Sequence, residues 1–216
     1  MRNLSRILRH LAVIAVVGTV GAMTVFGQSA IPTRDGNNGG RGGFRGQGEP
    51  VEDVKQIVSP LPTISEEVTG PGAIFESLMG LPATDNLDHF NYESKEYYVS
   101  GTANGEPYKT RIVIRKPANN RDFSGLVLAE SMHPSGNAWM LHFTHIYSLT
   151  SGHIAVDILT SNPTAFTENN PGRYGDLRIA NGQSSEIIAQ VGALIKSKQA
   201  DNPLAGLPLR KMVLAG

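Results

Sequence analysis

The clearest alternation of apolar and polar positions lies in the middle of the chain. Residues 96–101 and 108–116 alternate with period two and are rich in β-forming side chains, and the turn-prone segment 102–105 (TANG) joins them. This pattern predicts an antiparallel pair of strands.

Three further segments are apolar without alternation, and they comprise residues 125–130, 154–159 and 211–215. Continuous aliphatic runs of this length are typical of strands buried on both faces, as in parallel sheets.

Helical spacing appears between these runs. Residues 184–198 carry one apolar stripe, formed by Ile187, Ile188, Val191, Leu194 and Ile195. Residues 137–150 predict a second helix, because Trp139, Phe143, Ile146 and Tyr147 recur at helical spacing. Residues 73–79 predict a short third helix.

The predicted elements follow the order strand–strand–strand–helix–strand–helix–strand. This order indicates the α/β class, with a mixed sheet in which antiparallel N-terminal strands lead into parallel, right-handed βαβ units. No internal repeat is visible in residues 51–216, which we interpret as the folded domain.

The first 27 residues have the pattern of a secretion signal. Three arginines precede a sixteen-residue uncharged segment, 11–26, and the small residue Gly27 follows it. A membrane-spanning helix needs roughly 20 apolar residues, so a cleaved signal peptide and a secreted or periplasmic protein are favoured over the alternative of an N-terminal membrane anchor.

Residues 28–50 are predicted to be a disordered linker, because seven glycines lie between Gly36 and Gly48 and no apolar period is present. One short arginine–glycine stretch at 41–46 is too little to indicate RNA binding.

The 19 basic and 19 acidic residues give no net charge, so the composition does not favour a nucleic-acid partner. The absence of cysteine excludes disulfides and thiolate metal sites.

Four stretches of the chain resemble the exported bacterial family known as "alpha/beta hydrolase domain", of the α/β-hydrolase superfamily. They are residues 97–104 (YYVSGTAN), 109–117 with 123–130 (KTRIVIRKP and FSGLVLAE), 131–139 (SMHPSGNAW), and 172–177 with 207–216 (GRYGDL and LPLRKMVLAG). The resemblance implies the front part of an α/β-hydrolase sheet.

In that family the last stretch leads into a nucleophile elbow of the form G-x-S-x-[SG], whose first glycine corresponds to Gly216. The resemblance therefore implies that the serine, the acid and the histidine all lie beyond Gly216, and that the 216 residues are an inactive fragment of a serine hydrolase for carboxylic esters or similar acyl groups. The alternative is a non-catalytic exported domain that binds a small ligand or a partner.

The loop after the third predicted strand is the candidate oxyanion loop that this resemblance implies. Because Pro134 has no N–H, the candidate donors are the amides of His133, Ser135 and Gly136. The alternative is an ordinary strand-to-helix turn in which Asn137 caps the next helix.

A carboxylate at the end of a buried strand, Glu130, needs a partner, and Arg173 is the candidate. A structural ion pair is the favoured interpretation, with substrate contact as the alternative. The pair His142 and His145 has a spacing seen in zinc sites, but without further ligands it does not lead us to expect a metal. No cofactor is expected.

Overall fold

The computed structural model describes residues 59–215, so the predicted signal peptide (1–27) and linker (28–50) lie outside the described residues. The described part contains six strands: β1 (Thr63–Ile64), β2 (Tyr92–Ala103), β3 (Glu106–Pro117), β4 (Leu126–Ser131), β5 (Ile154–Ile158) and β6 (Lys211–Ala215). Its helices are a 3₁₀ turn at Asn120–Asp122, α1 (Trp139–Thr150), α2 (Thr164–Asn169), α3 (Pro171–Tyr174) and α4 (Ser184–Lys196).

The strands form one mixed sheet in the order β1-β2-β3-β5-β4-β6. The pairs β1/β2, β2/β3 and β3/β5 are antiparallel, whereas β4 lies parallel to both β5 and β6. The prediction of an α/β mixed sheet is confirmed. The two-residue turn between β2 and β3 consists of Asn104 and Gly105, whose φ angles are 49° and 76°. Positive φ at both positions is typical of a type I′ hairpin turn, whose backbone twist matches that of the flanking strands.

One face of the sheet, which we call the α4 face, is apolar. Inward-pointing side chains of β2 to β5 pack there against the predicted stripe of α4, in a cluster that includes Val99, Ile112, Val127, Ala129, Ile154, Val156, Ile158, Ile187, Val191, Leu194 and Ile195. Burial of apolar area joins α4 to the sheet, together with hydrogen bonds from Gln183 and Gln190 to carbonyls at the β2–β3 hairpin.

The opposite face, which we call the α1 face, carries buried charges. Glu96 on β2, Arg111 and Arg115 on β3, and Asp157 on β5 are each no more than 1% exposed. This face is covered by α1, by α2 and α3, and by residues 68–78, which we call the covering segment.

The covering segment contains no helix, so the helix predicted over residues 73–79 is wrong. Its backbone groups bond to side chains from elsewhere: the Phe75 amide donates to the Tyr174 hydroxyl (2.7 Å), and the Phe75 carbonyl accepts from Arg111 Nη2 (3.1 Å). Backbone groups engaged in this way are not free for intrahelical bonds.

Helix α1 also differs from its prediction in one respect. The apolar residues that mark its period point away from the sheet: Phe143 is 77% exposed, Ile146 54% and Tyr147 68%. The buried residues are Leu141, Ser148 and Leu149.

None of the helices in residues 59–215 is long and apolar enough to cross a membrane.

Candidate active site

The topology places a crevice at the carboxyl ends of β4 and β6. The connection from β4 to β5 runs through α1 on one face, whereas the connection from β5 back across β4 to β6 runs through α4 on the other face. Ligands bind in open α/β sheets at such a switch point, outside the carboxyl ends of the strands.

A cavity of about 650 Å³ lies at this position. It is lined by the end of β4 and the following loop, the first turns of α1 and α4, and the end of β6: Glu130, Ser131, His133, Trp139, Met140, Ser184, Ile188, Leu214 and Ala215. The volume is that of a typical small-molecule site, and the mixture of apolar walls and a few polar groups is also typical.

The loop between β4 and α1, residues 132–138, forms one rim of the cavity. The Met132 amide donates to the Ile158 carbonyl (2.8 Å) and the Ala138 amide to the Ser77 carbonyl (2.9 Å), so both ends of the loop are fixed. Gly136 has a φ of +84°, and a Cβ added there would lie 2.8 Å from Phe166 and 2.9 Å from Phe75. Only glycine fits this position.

The three candidate oxyanion donors differ in what they already bind. The His133 amide donates to the Asn137 carbonyl (3.0 Å), and the Gly136 amide to the His133 carbonyl (2.7 Å). The Ser135 amide meets only the side chain of His133, at 3.2 Å from Nδ1. A side-chain acceptor can rotate away, whereas the two carbonyls cannot, so Ser135 has the amide most easily turned to a ligand.

Glu130 and Arg173 do not pair, which corrects the sequence-based expectation. Glu130 is 4% exposed, and its two oxygens accept from the Met140 amide (2.6 Å) and the Leu141 amide (3.0 Å) at the start of α1. Burial raises the pKa of Glu130 and the amides oppose that shift. The carboxylate is neutralised by a helix N-terminus rather than by a cation.

Arg173 lies on the α1 face next to β2, three strands away from β4 and Glu130. Its Nε donates to Glu96 Oε2 (2.7 Å), and its terminal nitrogens donate to the carbonyls of Gly72 (2.8 Å) and Val68 (2.7 Å). Sequence reasoning missed Glu96 as the partner because Glu96 occupies a strand that otherwise alternates like a surface strand.

No nucleophile–base–acid relay is formed around the cavity by the residues that the structure describes. Ser131 Oγ is bonded to Thr160 Oγ1 (2.6 Å), and the His133 ring meets Ser135 Oγ at 2.9 Å without a carboxylate on its other nitrogen. The histidine pair of α1 does not form a metal centre either: His145 Nδ1 donates to the His142 carbonyl (2.6 Å), and no group of three or more potential ligands is found within residues 59–215.

The family model described as "Alpha/beta hydrolase domain" matches residues 57–216. The chain belongs to this family. No curated protein and no solved structure matches the chain significantly. In α/β-hydrolase enzymes the loop between the third core strand and the first helix supplies one oxyanion donor, and residues 132–138 occupy that place in this α/β-hydrolase domain.

Much of the cavity wall was not identified from the sequence. Ser184 and Ile188 belong to α4 and Leu214 to β6, far in sequence from the candidate loop. Once β4 and β6 are known to be parallel neighbours, their carboxyl ends must lie side by side. The position of the first turn of α4 next to the cavity depends in addition on how α4 packs against the sheet.

Proposed function

We propose that the chain is the N-terminal part of an exported bacterial serine hydrolase that cleaves carboxylic esters or similar acyl groups. The observation that supports this most directly is that the loop 132–138 and the end of β6 border one cavity. In the α/β-hydrolase fold these two positions are where an oxyanion donor and the nucleophile meet the substrate.

The proposed division of roles is that of the α/β-hydrolase fold. A serine shortly after β6, in a longer chain, attacks the acyl carbon and is activated by a histidine and an acid that follow later still. One amide of the loop, from among the candidates His133, Ser135 and Gly136, donates to the developing oxyanion, together with the amide that follows the nucleophile. Such a preorganised donor contributes about 3–4 kcal/mol to lowering the barrier.

The cavity walls support an apolar group next to the reacting carbonyl. Trp139, Met140, Ile188 and Leu214 supply apolar surface there. Glu130 is not proposed as the catalytic acid or base, because both of its oxygens are occupied by main-chain amides.

Export is the second part of the proposal and rests on residues 1–27. We expect the mature protein to begin near Gln28, and N-terminal sequencing of the exported protein measures this directly. A protein that still begins at Met1 would favour the membrane anchor instead.

The hydrolase proposal is tested by extending the chain. The reading frame after Gly216 should continue as x-S-x-[SG], and the extended protein should hydrolyse p-nitrophenyl butyrate, while its serine-to-alanine variant and the 216-residue chain should not. A stop codon directly after Gly216, or an inactive extended protein, would contradict the proposal and favour a non-catalytic binding domain.

A further inference from the structure

Helix α1 begins without a cap from its own residues. Ala138 occupies the N-cap position, no side chain there accepts a hydrogen bond, and the first turn contains no acidic residue. The Asn137 cap considered from the sequence is not made: the N-cap position is occupied by Ala138, and Asn137 Nδ2 donates to Ser135 Oγ (2.8 Å) within the loop. The first amides of the helix therefore need an acceptor from elsewhere.

Glu130 supplies that acceptor from the end of β4. Its Oε1 lies 2.6 Å from the Met140 nitrogen and its Oε2 lies 3.0 Å from the Leu141 nitrogen, so one carboxylate serves two successive amides. It forms no salt bridge with any residue in the part of the chain that the structure describes. Hydrogen bonds from amides to an ionised carboxylate are about twice as strong as neutral ones.

These two bonds span the loop. Glu130 precedes residues 132–138 by two positions, and Met140 follows them by two, so the carboxylate ties the two ends of the loop to each other. Inside the loop the Ser135 amide is held only by the His133 ring. The backbone bonds of Met132 and Ala138 also hold the loop ends, so the carboxylate adds a further attachment between β4 and the start of α1.

We propose that Glu130 is a positioning residue, which fixes the start of α1 and thereby holds the loop 132–138 in place at the rim of the cavity. This inference rests on the proposed hydrolase function for its catalytic consequence, but the structural part stands by itself. Glu130 also lines the cavity, but the Met140 and Leu141 amides occupy both of its oxygens, so we expect it to act through the loop.

The structural part is tested on the 216-residue chain by fluorescence. Trp139 is the chain's single tryptophan, it is the first residue of α1, and its ring lies 6.5 Å from that of His133. In Glu130→Ala we expect red-shifted tryptophan emission and stronger acrylamide quenching under native conditions. Glu130→Gln keeps one carbonyl acceptor and should restore part of the difference.

The matched control is Glu186→Ala. Glu186 also lies in the first turn of a helix, α4, and accepts from the Asn104 amide (3.0 Å). Its loss should lower stability without changing Trp139 emission or quenching. If Glu130→Ala and Glu130→Gln both keep the wild-type emission and quenching, or if Glu186→Ala changes them equally, the proposal is wrong.

The catalytic part is tested in the extended protein with an ester substrate. We expect Glu130→Ala to lower kcat about 100-fold with little change in KM, because misplacing a catalytic group by about 1 Å has an effect of this size, and we expect Glu186→Ala to retain kcat. An unchanged kcat in Glu130→Ala overturns the catalytic role. If the wild-type extended protein has no activity, the hydrolase proposal fails, and the Trp139 measurement still decides whether Glu130 positions the loop.

Discussion

The two faces of the sheet are covered by different interactions. On the α4 face a regular amphipathic helix buries aliphatic side chains, and the neutral side chains of Gln183 and Gln190 bond to carbonyls of β2 and β3. On the α1 face the irregular covering segment, 68–78, is attached through buried ionic side chains. Arg173 alone binds the carbonyls of Gly72 and Val68.

The difference shows why an irregular segment can cover a sheet. A segment without secondary structure leaves its backbone groups without partners, and burying them unpaired is costly. Arg111 and Arg173 donate to those carbonyls, and Arg115 donates to the side chains of Glu76 and Ser77. Glu96 and Asp157 balance the charge of the arginines: Glu96 lies 2.5 Å from Arg111 Nε, and Asp157 pairs with Arg115. The buried arginines therefore allow the covering segment to pack on the sheet without forming a helix, because they bond to its backbone carbonyls.

The largest effect is expected from Glu96→Ala. This change leaves Arg111 and Arg173 buried without their shared carboxylate, and breaking a buried pair lowers the free energy of unfolding by about 3–5 kcal/mol. Urea unfolding followed by circular dichroism measures the loss. We also expect proteolysis to begin within the covering segment.

The control for this change is Glu93→Ala on the same strand. Glu93 pairs with Lys116 at 2.6 Å, but its side chain is 37% exposed, and surface pairs contribute about 0–1 kcal/mol. Equal losses for Glu93→Ala and Glu96→Ala would show that the buried network does not hold this face.

On the α4 face the corresponding change is Leu194→Ala. Leu194 is fully buried, and truncating such a leucine lowers the free energy of unfolding by about 2–5 kcal/mol. We expect the covering segment to remain resistant to protease in this variant, because it contacts the other face. Early cleavage of the covering segment in Leu194→Ala would mean that the two faces are not independent.

A smaller effect is expected on the pH dependence of the free energy of unfolding, through His153. Burial lowers the pKa of His153 below its ordinary value of 6.5, and Nδ1 lies 2.8 Å from Ser124 Oγ. Between the two pKa values the unfolded chain binds more protons than the folded chain, so the free energy of unfolding decreases as pH falls below 6.5. His153→Gln should flatten this dependence in urea titrations.

The smallest effect is expected on the outer side of α1. Phe143 and Tyr147 are 77% and 68% exposed, so the double change Phe143→Ser/Tyr147→Ser should alter the free energy of unfolding by no more than about 0.5 kcal/mol. Sedimentation should show less self-association than for the wild-type chain, because an exposed apolar patch is removed. A loss above about 1 kcal/mol would contradict the exposure of these rings.

The elements of the α4 face could be predicted from sequence because their signals are local. The stripe of α4 and the alternation of β2 and β3 each follow from side chains a few residues apart, and the observed elements confirm them. The covering segment could not be predicted in this way. Its conformation depends on Arg111 and Tyr174, which are 36 and 99 residues from Phe75.

The candidate site also contains features that local sequence predicted and features that it did not. The sequence indicated the loop 132–137 and the carboxylate of Glu130, because the loop follows a recognisable buried strand and Glu130 lies at the end of that strand. It did not indicate the partner of Glu130. A cation was expected, but in the structure the neutralising groups are the amides of Met140 and Leu141, which have no signature in residue type.

The sequence by itself determined the fold class, the order of the longer strands and helices from β2 to β6, and the family, because periodicity and short motifs are properties of neighbouring residues. Only the tertiary structure decided which side of α1 is buried, which carboxylate each arginine meets, and which amide of the candidate loop is held by a side chain alone. These depend on contacts between residues far apart in the chain, where packing and hydrogen-bond geometry select one partner among several chemically equivalent ones.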